Sequence, residues 1–489
     1  MRTTFNPSPI GPPSIGLIRA AVYNWALARH HGGRFVLRIE DTDLARGQQE
    51  YYQPLLEVLR WLGLEWDEGP DVGGPNGPYL QSLRRPVHLD VARQLLAAGE
   101  LYESFSTPEE VEQRNRAAGR HPRMGYDNAD RDLSEVRRAA FRAEGRVPVL
   151  RLRMPSGEVV FDDLVRGPMV FKLDATPDPV MVRANGDPTF TLANPVDDAL
   201  MGITHILRGD GLLASVPRHL ATYLALERIG LARFTPRFGH ISSVVDEQDR
   251  PLSRAVPEAA VLGYRDRGFL PAAMVNYLAS IGWSHPSAGE IFSTAELVEA
   301  FDPSRVKPRP VKLDTKKAAS VNTAHLRALD AERFVAALTS FAADAGVIPR
   351  ELRAQEQELL LRIAPLVRER ARNLHEATNL VAFLFQPSDS IVPLDDEIAS
   401  RVDTRALGVA SEILLATSDW TEDVLQVRLK DGLGEDTAFV RAALTAVRLS
   451  ITGRLVTLPL YESLVLLGRE NSLQRIKHVL DALDPSAST

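Results

Sequence analysis

Residues 3–40 decide the fold class of this chain, and they read TTFNPSPIGPPSIGLIRAAVYNWALARHHGGRFVLRIE. Residues 3–6 form a short extended run that stops at Pro7. Apolar side chains then recur at helical spacing from Ile15 to Ala26, and a β-rich run follows at residues 35–39 after a pair of glycines. Strand, helix and strand in this order predict an α/β domain built on a parallel sheet.

The loop that enters this first helix is a candidate anion-binding site. It brings Ser14, Ile15 and Gly16 to the helix N terminus behind four prolines. Backbone N–H groups and the helix dipole favour an anion such as a phosphate at that position. Taken alone, the pattern describes an ordinary strand-to-helix turn at least as well.

The composition is that of a folded protein. Of the 489 residues, 44% are apolar and 25% charged, which excludes disorder as the main state and predicts about three or four domains. No apolar run approaches the ~20 residues of a membrane span, and the first residues lack the apolar core of a secretory signal. The chain has no cysteine, so disulfides, a thiol nucleophile and a cysteine-based zinc site are excluded. We therefore expect a cytoplasmic protein with no membrane partner.

The net charge of −7 excludes a uniformly basic nucleic-acid binder, although a local basic surface remains compatible with it. Along the chain, residues 69–190 are less regular than the first 65 and have the character of an insertion, with short strands expected at 147–153 and 159–161. Strand patterns return at 203–208 and 239–245. From about residue 320 onward the pattern is almost purely helical, and residues 484–489 are expected to be a frayed tail.

Several motifs share their order and spacing with a known family. The chain resembles the glutamyl-tRNA synthetases, which are class I aminoacyl-tRNA synthetases, over almost its whole length, and it looks most like their actinobacterial branch. Besides the loop at 7–16, the motifs that carry the resemblance are RIEDTD (38–43), WLGL (61–64), DEGP (67–70), NPVDDALM (194–201), GITHILRG (202–209), GFLP (268–271), TGR (452–454) and LYESL (460–464).

The resemblance implies an α/β class I synthetase Rossmann catalytic domain with an α+β connective insertion, followed by an all-α anticodon-binding domain. It puts the first half of the Rossmann domain at residues 1–100, the connective insertion that grips the acceptor end of tRNA at 101–187, and the second half at 188–255. A stem-contact region would follow at 256–320 and the helical anticodon-binding domain at 321–489. The layout inferred from the residues alone agrees with this order.

The resemblance also implies the site residues. The catalytic positions would be Ser14, Gly16, Ser253 and Arg254, and ATP would be bound by these together with Ile15 and Leu252. The amino acid would be bound by Ser8, Glu40, Phe190, Asn194 and Arg208. Glu40 would meet the ammonium group of the amino acid and Arg208 a carboxylate, while Mg²⁺ would screen the ATP phosphates. From the residues alone, 40–43 also suits a helix N-cap.

Several positions depart from the family's usual residue. Ser14 stands in place of a histidine that donates to the ATP phosphates, Ile10 in place of a threonine, Pro251 and Arg254 in place of two lysines, Thr4 in place of an arginine and Phe190 in place of a tyrosine. Arg250 is a candidate substitute for the first lysine. Because one preorganised donor is worth roughly 10²–10³ in rate, these departures predict a divergent paralogue with degenerate ATP-binding signatures.

Two further regions bear on metal and tRNA. Ser104, Ser106 and Asp130 occupy positions that bind a structural zinc in some members through cysteine, so we expect no zinc. Arg370 matches an arginine that touches the last anticodon base, the alternative being a solvated arginine on a helix. A second basic cluster, suited to the tRNA elbow or to ordinary surface charge, comprises Arg309, Lys312, Lys316 and Lys317.

Three functions remain open at this point. The first is a glutamate–tRNA ligase that activates glutamate or a related amino acid with ATP and transfers it to tRNA, with glutamate tRNA as its partner and a monomer as its state. The second is a catalytically impaired paralogue that only binds tRNA. The third is a ligase repurposed for another substrate in a specialised pathway.

Overall fold

The structure is a computed structural model, and it describes residues 1–42, 49–122, 124–252, 256–387 and 396–483. The chain divides into two compact units. The first comprises residues 1–265 with 271–321, and the second comprises 266–270 with 322–489.

The first unit begins with the predicted strand, helix and strand. Its first elements are β1 (Arg2–Phe5), α1 (Ile15–His30), β2 (Arg34–Leu37), α2 (Tyr52–Trp61) and α3 (Arg85–Ala97). Strands β1 and β2 pair in parallel, with Thr3 opposite Phe35. The apolar stripe of α1, including Ile15, Ile18 and Val22, is fully buried, because the helix covers one face of the sheet. This confirms the prediction from residues 3–40.

The insertion carries two small antiparallel sheets. Its elements are β3 (Leu101–Ser104), α4 (Pro108–Ala117), α5 (Glu135–Ala143), β4 (Val149–Leu152), β5 (Glu158–Asp163), β6 (Gly167–Lys172) and β7 (Val180–Val182). Strands β3, β4 and β7 form one sheet, and β5 with β6 forms a hairpin. The strands predicted at 147–153 and 159–161 are confirmed, and the second is longer than predicted.

The chain then completes the parallel sheet. The next elements are α6 (Phe190–Leu200), β8 (His205–Gly209), α7 (Val216–Arg228), β9 (Arg237–Ile241) and β10 (Val244–Val245). The sheet has the order β2-β1-β8-β9, and every pairing is parallel. From β1 the sheet extends to β2 on one side, and from β8 to β9 on the other. In open parallel sheets, ligands bind at the carboxyl ends of the strands at such a switch point, which here lies between β1 and β8.

The prediction of a single strand at 239–245 is wrong, because the chain bends between β9 and β10. The carbonyl of Ser242 accepts a hydrogen bond from the Arg19 guanidinium, and the hydroxyl of Ser243 donates to Asp210 at 2.7 Å. These contacts turn the backbone away from the sheet. Strand β10 then pairs in parallel with β11 (Val311–Lys312) instead.

The remaining elements are helical. The first unit also contains α9 (Pro271–Ser280) and α10 (Thr294–Ala300), and the division between the units falls within α8 (Leu262–Asp266) and α11 (Thr315–Ala328). The second unit continues with α12 (Ala331–Asp344), α13 (Ala354–Arg370), α14 (Leu374–Val381), α15 (Asp396–Ala399), α16 (Thr404–Leu415), α17 (Glu422–Leu433), α18 (Thr437–Thr452), α19 (Leu460–Leu467) and α20 (Arg469–Leu483). Its core contains fully buried leucines such as Leu407, Leu425 and Leu449. The helical pattern predicted beyond residue 320 is confirmed.

Within the part of the chain that the structure describes, none of the helices combines the length and the apolar character that crossing a membrane requires.

Candidate functional site

Helix α1 begins at the switch point with Ser14 as its N-cap. The Ser14 hydroxyl oxygen accepts a hydrogen bond from the backbone N–H of Leu17 at 3.4 Å, which satisfies one of the free donors of the first turn. The hydroxyl proton remains able to donate. The loop is held in place because the carbonyl of Pro13 accepts from the N–H of Val261 and Ser14 pairs with Ala260.

A cavity of about 450 Å³ adjoins this helix N terminus. Among the residues that line it are Ser8, Ser14, Gly16, Glu40 and Leu252, all of which the sequence predicted for the site. A Cβ added at Gly16 would meet no atom closer than 4.0 Å, so the first turn of the helix faces open space. The side chain of Ile15 is fully buried in the core, and only its backbone can serve a ligand.

A smaller cavity of about 140 Å³ shares part of its lining with the larger one. Both cavities are lined by Asn6 and Phe190. Only the smaller cavity is lined by Thr4, Asn194 and Arg208. The predicted amino-acid residues are therefore brought together, with Ser8 and Glu40 in the larger cavity and Asn194 and Arg208 in the smaller.

Arg208 projects from the carboxyl end of β8 into the smaller cavity. Its Nε donates to His240 Nε2 at 3.0 Å, its Nη1 donates to His219 Nδ1 at 3.0 Å, and the guanidinium lies 4.6 Å from the ring centre of Phe238. Its Nη2 is buried and has no hydrogen-bond partner. Within the described residues, no carboxylate forms an ion pair with Arg208. Burial lowers the pKa of Arg208 to about 10, yet the group stays charged at neutral pH.

The two histidines that contact Arg208 are neutral acceptors. Burial lowers the pKa of His219 well below its usual range, and the nearby Arg208 lowers it further. Burial also lowers the pKa of His240, although a hydrogen bond to Asp163 opposes that effect. Arginine donates only, so each imidazole must accept with the nitrogen that faces Arg208. Among the described residues, Arg208 Nη2 is therefore a guanidinium donor without an acceptor, and the carboxylate of Asp198 in the same cavity is paired with Arg38.

A second arginine of the same cavity forms an ion pair with a carboxylate. Arg38 is fully buried at the end of β2 and donates to Asp198 at 2.8 Å. Burial lowers its pKa, but the charges of Asp198 and Asp197 outweigh that effect and the pKa is raised overall. Asp197 in turn accepts from Arg84 and His88 at 2.6 and 2.8 Å. This network fixes α6 against the sheet.

Asn194 is oriented by three donors. Its Oδ1 accepts from Asn6 Nδ2 at 2.7 Å, from Gln81 Nε2 at 2.9 Å and from Arg38 Nη2 at 3.5 Å. The orientation of the Asn194 amide is therefore set by the network. The Oδ1 of Asn6 is left buried and without a partner.

The two altered positions of the pocket contribute no free polar group. The hydroxyl of Thr4 donates to the carbonyl of Val36 at 3.3 Å, so it is already used by the backbone. The ring of Phe190 lies 5.3 Å from that of His219 and carries no hydroxyl.

Glu40 and its neighbours do not cap a described helix. The Thr42 hydroxyl donates to Glu40 at 3.2 Å, and Asp41 accepts from the backbone N–H and the hydroxyl of Ser82 at 2.7 and 2.5 Å. Asp41 thus fixes the short 3-10 helix Gln81–Arg84, and the helix that residues 40–43 would cap falls on residues 43–48, outside the described residues. Asp43 lies outside the described residues.

The predicted ATP-binding residues near position 252 are described only in part. Ser253 and Arg254 lie outside the described residues. Pro251 pairs with Val245 in an isolated bridge and lines the larger cavity with Leu252. Arg250, the candidate substitute for the lost lysine, has an exposed side chain that pairs with Asp246 at 2.8 Å, and it is not among the residues that line the cavity.

A carboxylate closes the loop that would hold zinc in some relatives. Asp130 Oδ2 accepts from the Ser104 hydroxyl at 2.9 Å and from the backbone N–H groups of Phe105 and Ser106 at 2.9 and 2.8 Å. The described residues contain no group of three or more histidine, aspartate and glutamate side chains that could hold a metal ion.

The second unit has a groove of about 770 Å³ with several arginines. Arg370, Arg372 and Arg454 line it. Arg370 is the last residue of α13, and its closest acidic neighbour is Glu369 at 3.9 Å. In the second basic cluster, Lys312 and Lys317 pair with acidic groups, which suits ordinary surface charge.

Four residues of the smaller cavity and its surroundings were not predicted from the sequence. Asn6 contacts Asn194, while His219 and His240 contact Arg208. Asp163 contacts His240. The sequence feature that could have indicated them is a polar side chain in an otherwise apolar strand or helix, as at His240 between Phe238 and Ile241.

Comparisons with known proteins identify the family of the chain. The family model described as the catalytic domain of tRNA synthetases class I (E and Q) matches residues 1–319, and that of the anticodon binding domain matches residues 316–480. The chain is 51% identical to the glutamate–tRNA ligase of Saccharopolyspora erythraea over 483 residues, covering 98% of this chain and 95% of the relative. It is 48% identical to that of Clavibacter michiganensis over 492 residues, covering 99% and 96%.

A solved structure shows the same fold. The crystal structure of a glutamate tRNA ligase from Elizabethkingia meningosepticum, in complex with its amino acid, has a TM-score of 0.79 at 28% identity, and the match covers 99% of this chain and 100% of that one. Because the identity to curated ligases is near half over almost the full length, the prediction of a divergent paralogue finds no support. The chain belongs to the glutamate–tRNA ligase family of class I tRNA synthetases.

Proposed function

We propose that this protein is a glutamate–tRNA ligase, which activates glutamate with ATP and transfers it to glutamate tRNA. The observation that carries the proposal is the unpaired Nη2 of Arg208 in a small cavity next to a helix N terminus. A buried guanidinium without an anion is costly, and a substrate carboxylate would satisfy it with a short, charge-assisted hydrogen bond.

The other predicted residues suit the remaining groups of the amino acid. Glu40 and Ser8 line the larger cavity. Glu40 would bind the ammonium group of the amino acid, and the Ser8 hydroxyl would form a hydrogen bond with the amino acid. Phe190 lines both cavities, and Asn194 is held by its three donors. The side chain of glutamate would then lie in the smaller cavity and its reacting carboxylate in the larger one.

The larger cavity suits ATP. The N-terminal turn of α1 would receive phosphate through backbone N–H groups and the Ser14 hydroxyl, beside Gly16, Ile15 and Leu252. Ser253 and Arg254 complete the proposed set. The carboxylate of the amino acid would attack the α-phosphate of ATP, which would transfer its adenylyl group and release pyrophosphate. Mg²⁺ would bind through the phosphates of ATP and screen their charge.

The groove of the second unit suits tRNA. Arginine pairs with phosphates and stacks on bases, and Arg370, Arg372 and Arg454 border the same groove. We assign Arg370 to the anticodon. The protein would act as a monomer.

Aminoacylation tests the proposal. Purified protein is incubated with ATP, Mg²⁺, total tRNA and labelled glutamate, with labelled glutamine and aspartate in parallel. Charging with glutamate at a rate within about a hundredfold of ~1–10 s⁻¹, and no charging with the other two, supports the ligase. A protein that binds tRNA on a filter but charges it with none of the three contradicts the proposal.

A further inference from the structure

The hairpin β5–β6 of the insertion rests directly on the catalytic sheet. The backbone N–H of Leu164, in the turn of the hairpin, donates to the carbonyl of Phe238 on β9 at 2.8 Å. A Cβ added at Gly239 would lie 2.5 Å from Leu207 Cδ2 and 3.2 Å from Leu164 Cβ. The turn therefore reaches the sheet because residue 239 has no side chain.

Asp163 joins the hairpin to the same strand. Its Oδ1 accepts from the backbone N–H groups of Val165 and Arg166 at 2.9 and 3.0 Å, which shapes the turn. The same oxygen accepts from the N–H of His240 at 3.1 Å, and Oδ2 contacts His240 Nδ1 at 2.5 Å. The side chains of Asp163 and His240 are both fully enclosed.

The direction of each hydrogen bond follows from Arg208. Because arginine only donates, His240 Nε2 must accept from Arg208 Nε at 3.0 Å. The imidazole proton is then on Nδ1 and is donated to Asp163. Burial tends to raise the pKa of Asp163, but the hydrogen bonds from His240 outweigh it and lower the pKa overall, so the carboxylate is ionised. The chain of donors runs from Arg208 through His240 to Asp163.

We propose that His240 and Asp163 are positioning residues for glutamate recognition, which hold the Arg208 guanidinium so that its Nη2 points toward the substrate carboxylate. The anchor of this arrangement is a residue of the insertion. Seating of the hairpin on β9 and the geometry of the amino-acid pocket are therefore coupled. The inference rests on the proposed function, because it takes Arg208 as the residue that receives the glutamate side chain.

Two substitutions separate this role from simple anchoring of the hairpin. In His240→Asn, the amide nitrogen takes the position of Nδ1, so the contact with Asp163 is kept and the acceptor for Arg208 is lost. In His240→Gln, the amide oxygen reaches the position of Nε2, so the acceptor for Arg208 is kept and the donor to Asp163 is lost. If the pair only anchored the hairpin, asparagine would be the milder change.

The kinetic experiment measures tRNA charging by both variants, with Val160→Ala on the exposed face of the hairpin as a control. We expect His240→Asn to raise the KM for glutamate by about tenfold or more, as for a misplaced charged partner, with the KM for ATP and kcat within about threefold. We expect His240→Gln to raise the KM for glutamate less than His240→Asn does, because it keeps the acceptor for Arg208 and loses only the bond to Asp163. We expect Val160→Ala to stay within about threefold of the wild type for all three constants. A glutamine variant that is impaired as much as the asparagine variant overturns the inference.

A second readout does not depend on activity. In protein labelled with ¹⁵N-histidine, the ring nitrogens of His240 are assigned from their absence in His240→Gln. The inference predicts a neutral ring protonated at Nδ1, and protonation at Nε2 overturns it. If the wild type charges no tRNA with glutamate, the proposed function fails, and the positioning role of His240 fails with it. If the wild type charges normally and the two variants do not differ, only the positioning role fails.

Discussion

Replacing either arginine of the smaller cavity by methionine distinguishes a guanidinium that awaits an anion from one that is already paired. Arg38 and Arg208 both line this cavity. Arg38 forms an ion pair with Asp198 at 2.8 Å, whereas the Nη2 of Arg208 has no partner. Methionine has a similar length and no charge, so each substitution removes the guanidinium and keeps most of the packing.

The two substitutions should differ strongly in their effect on folding. The pKa of Arg208 falls from its ordinary value of 12.5 to about 10, which at about 1.4 kcal/mol per unit means that the charge costs the folded state roughly 3 kcal/mol. Arg208→Met removes this cost. It also removes two hydrogen bonds of ~1 kcal/mol each and a contact with Phe238 of ~1 kcal/mol. The free energy of unfolding should therefore change by less than ~1 kcal/mol.

Arg38→Met should destabilise the fold much more. It leaves the buried carboxylates of Asp198 and Asp197 without their shared cation, and breaking a buried ion pair on one side costs about 3–5 kcal/mol. The effect on glutamate binding should have the opposite order, because only Arg208→Met removes the partner of the glutamate carboxylate. We expect the KM for glutamate to rise at least about thirtyfold in Arg208→Met, equivalent to a loss of ~2 kcal/mol or more.

Urea unfolding without substrate and tRNA charging provide the two measurements. Unfolding is followed by tryptophan fluorescence, and the KM for glutamate is compared with that for ATP, which should not change in Arg208→Met. The reasoning is refuted if Arg208→Met loses as much stability as Arg38→Met. It is also refuted if Arg208→Met keeps the wild-type KM for glutamate.

Three further predictions concern other parts of the first unit. Ser14→Ala should lose about 1 kcal/mol of stability because the N-cap is missing. Ser14→Asp should keep that stability but slow charging by about tenfold or more, because its charge repels phosphate. Denaturation and charging rates check both variants, and an active aspartate variant would count against the phosphate site. Asp130→Ala should leave the backbone N–H groups of Phe105 and Ser106 without the acceptor that they have in the wild type, at a cost of ~2–4 kcal/mol, whereas Asp130→Asn should be milder. Hydrogen exchange across the insertion measures this, and equal protection in all three proteins would disprove it. Burial tends to raise the pKa of Asp197, but the bond from His88 and nearby arginines lower it from 3.8 to about 2. This shift should contribute ~2 kcal/mol to the stability of the fold, present above pH ~4 and lost as the pH falls toward 2. Acid unfolding followed between these pH values should show no such loss in Asp197→Asn. An identical dependence of stability on pH in both proteins would contradict the assignment.

Local patterns in the sequence predict the elements but not the break between β9 and β10. Strand, helix and strand at residues 3–40 follow from apolar spacing alone, and the structure confirms them. The chain bends after Ile241 because Ser242 and Ser243 bind groups far away in the sequence. An apolar run contains no information about such partners.

The site shows the same division. The motifs locate Glu40, Asn194 and Arg208 at the ends of strands or in a helix, because those positions are set by the fold. They do not show that His240 and Asp163 surround Arg208, since these contacts join residues 32 and 77 positions apart. Likewise, the serines at 104 and 106 indicate the loss of zinc ligands, but the bonds to Asp130 that close the loop depend on the folded backbone.

The decisive experiment is a crystal structure of the protein with bound glutamate. One oxygen of the side-chain carboxylate should lie within about 3 Å of Arg208 Nη2, and the ammonium group should lie beside Glu40. Glutamate bound with its side chain away from Arg208, and with Nη2 still lacking a partner, would contradict this prediction.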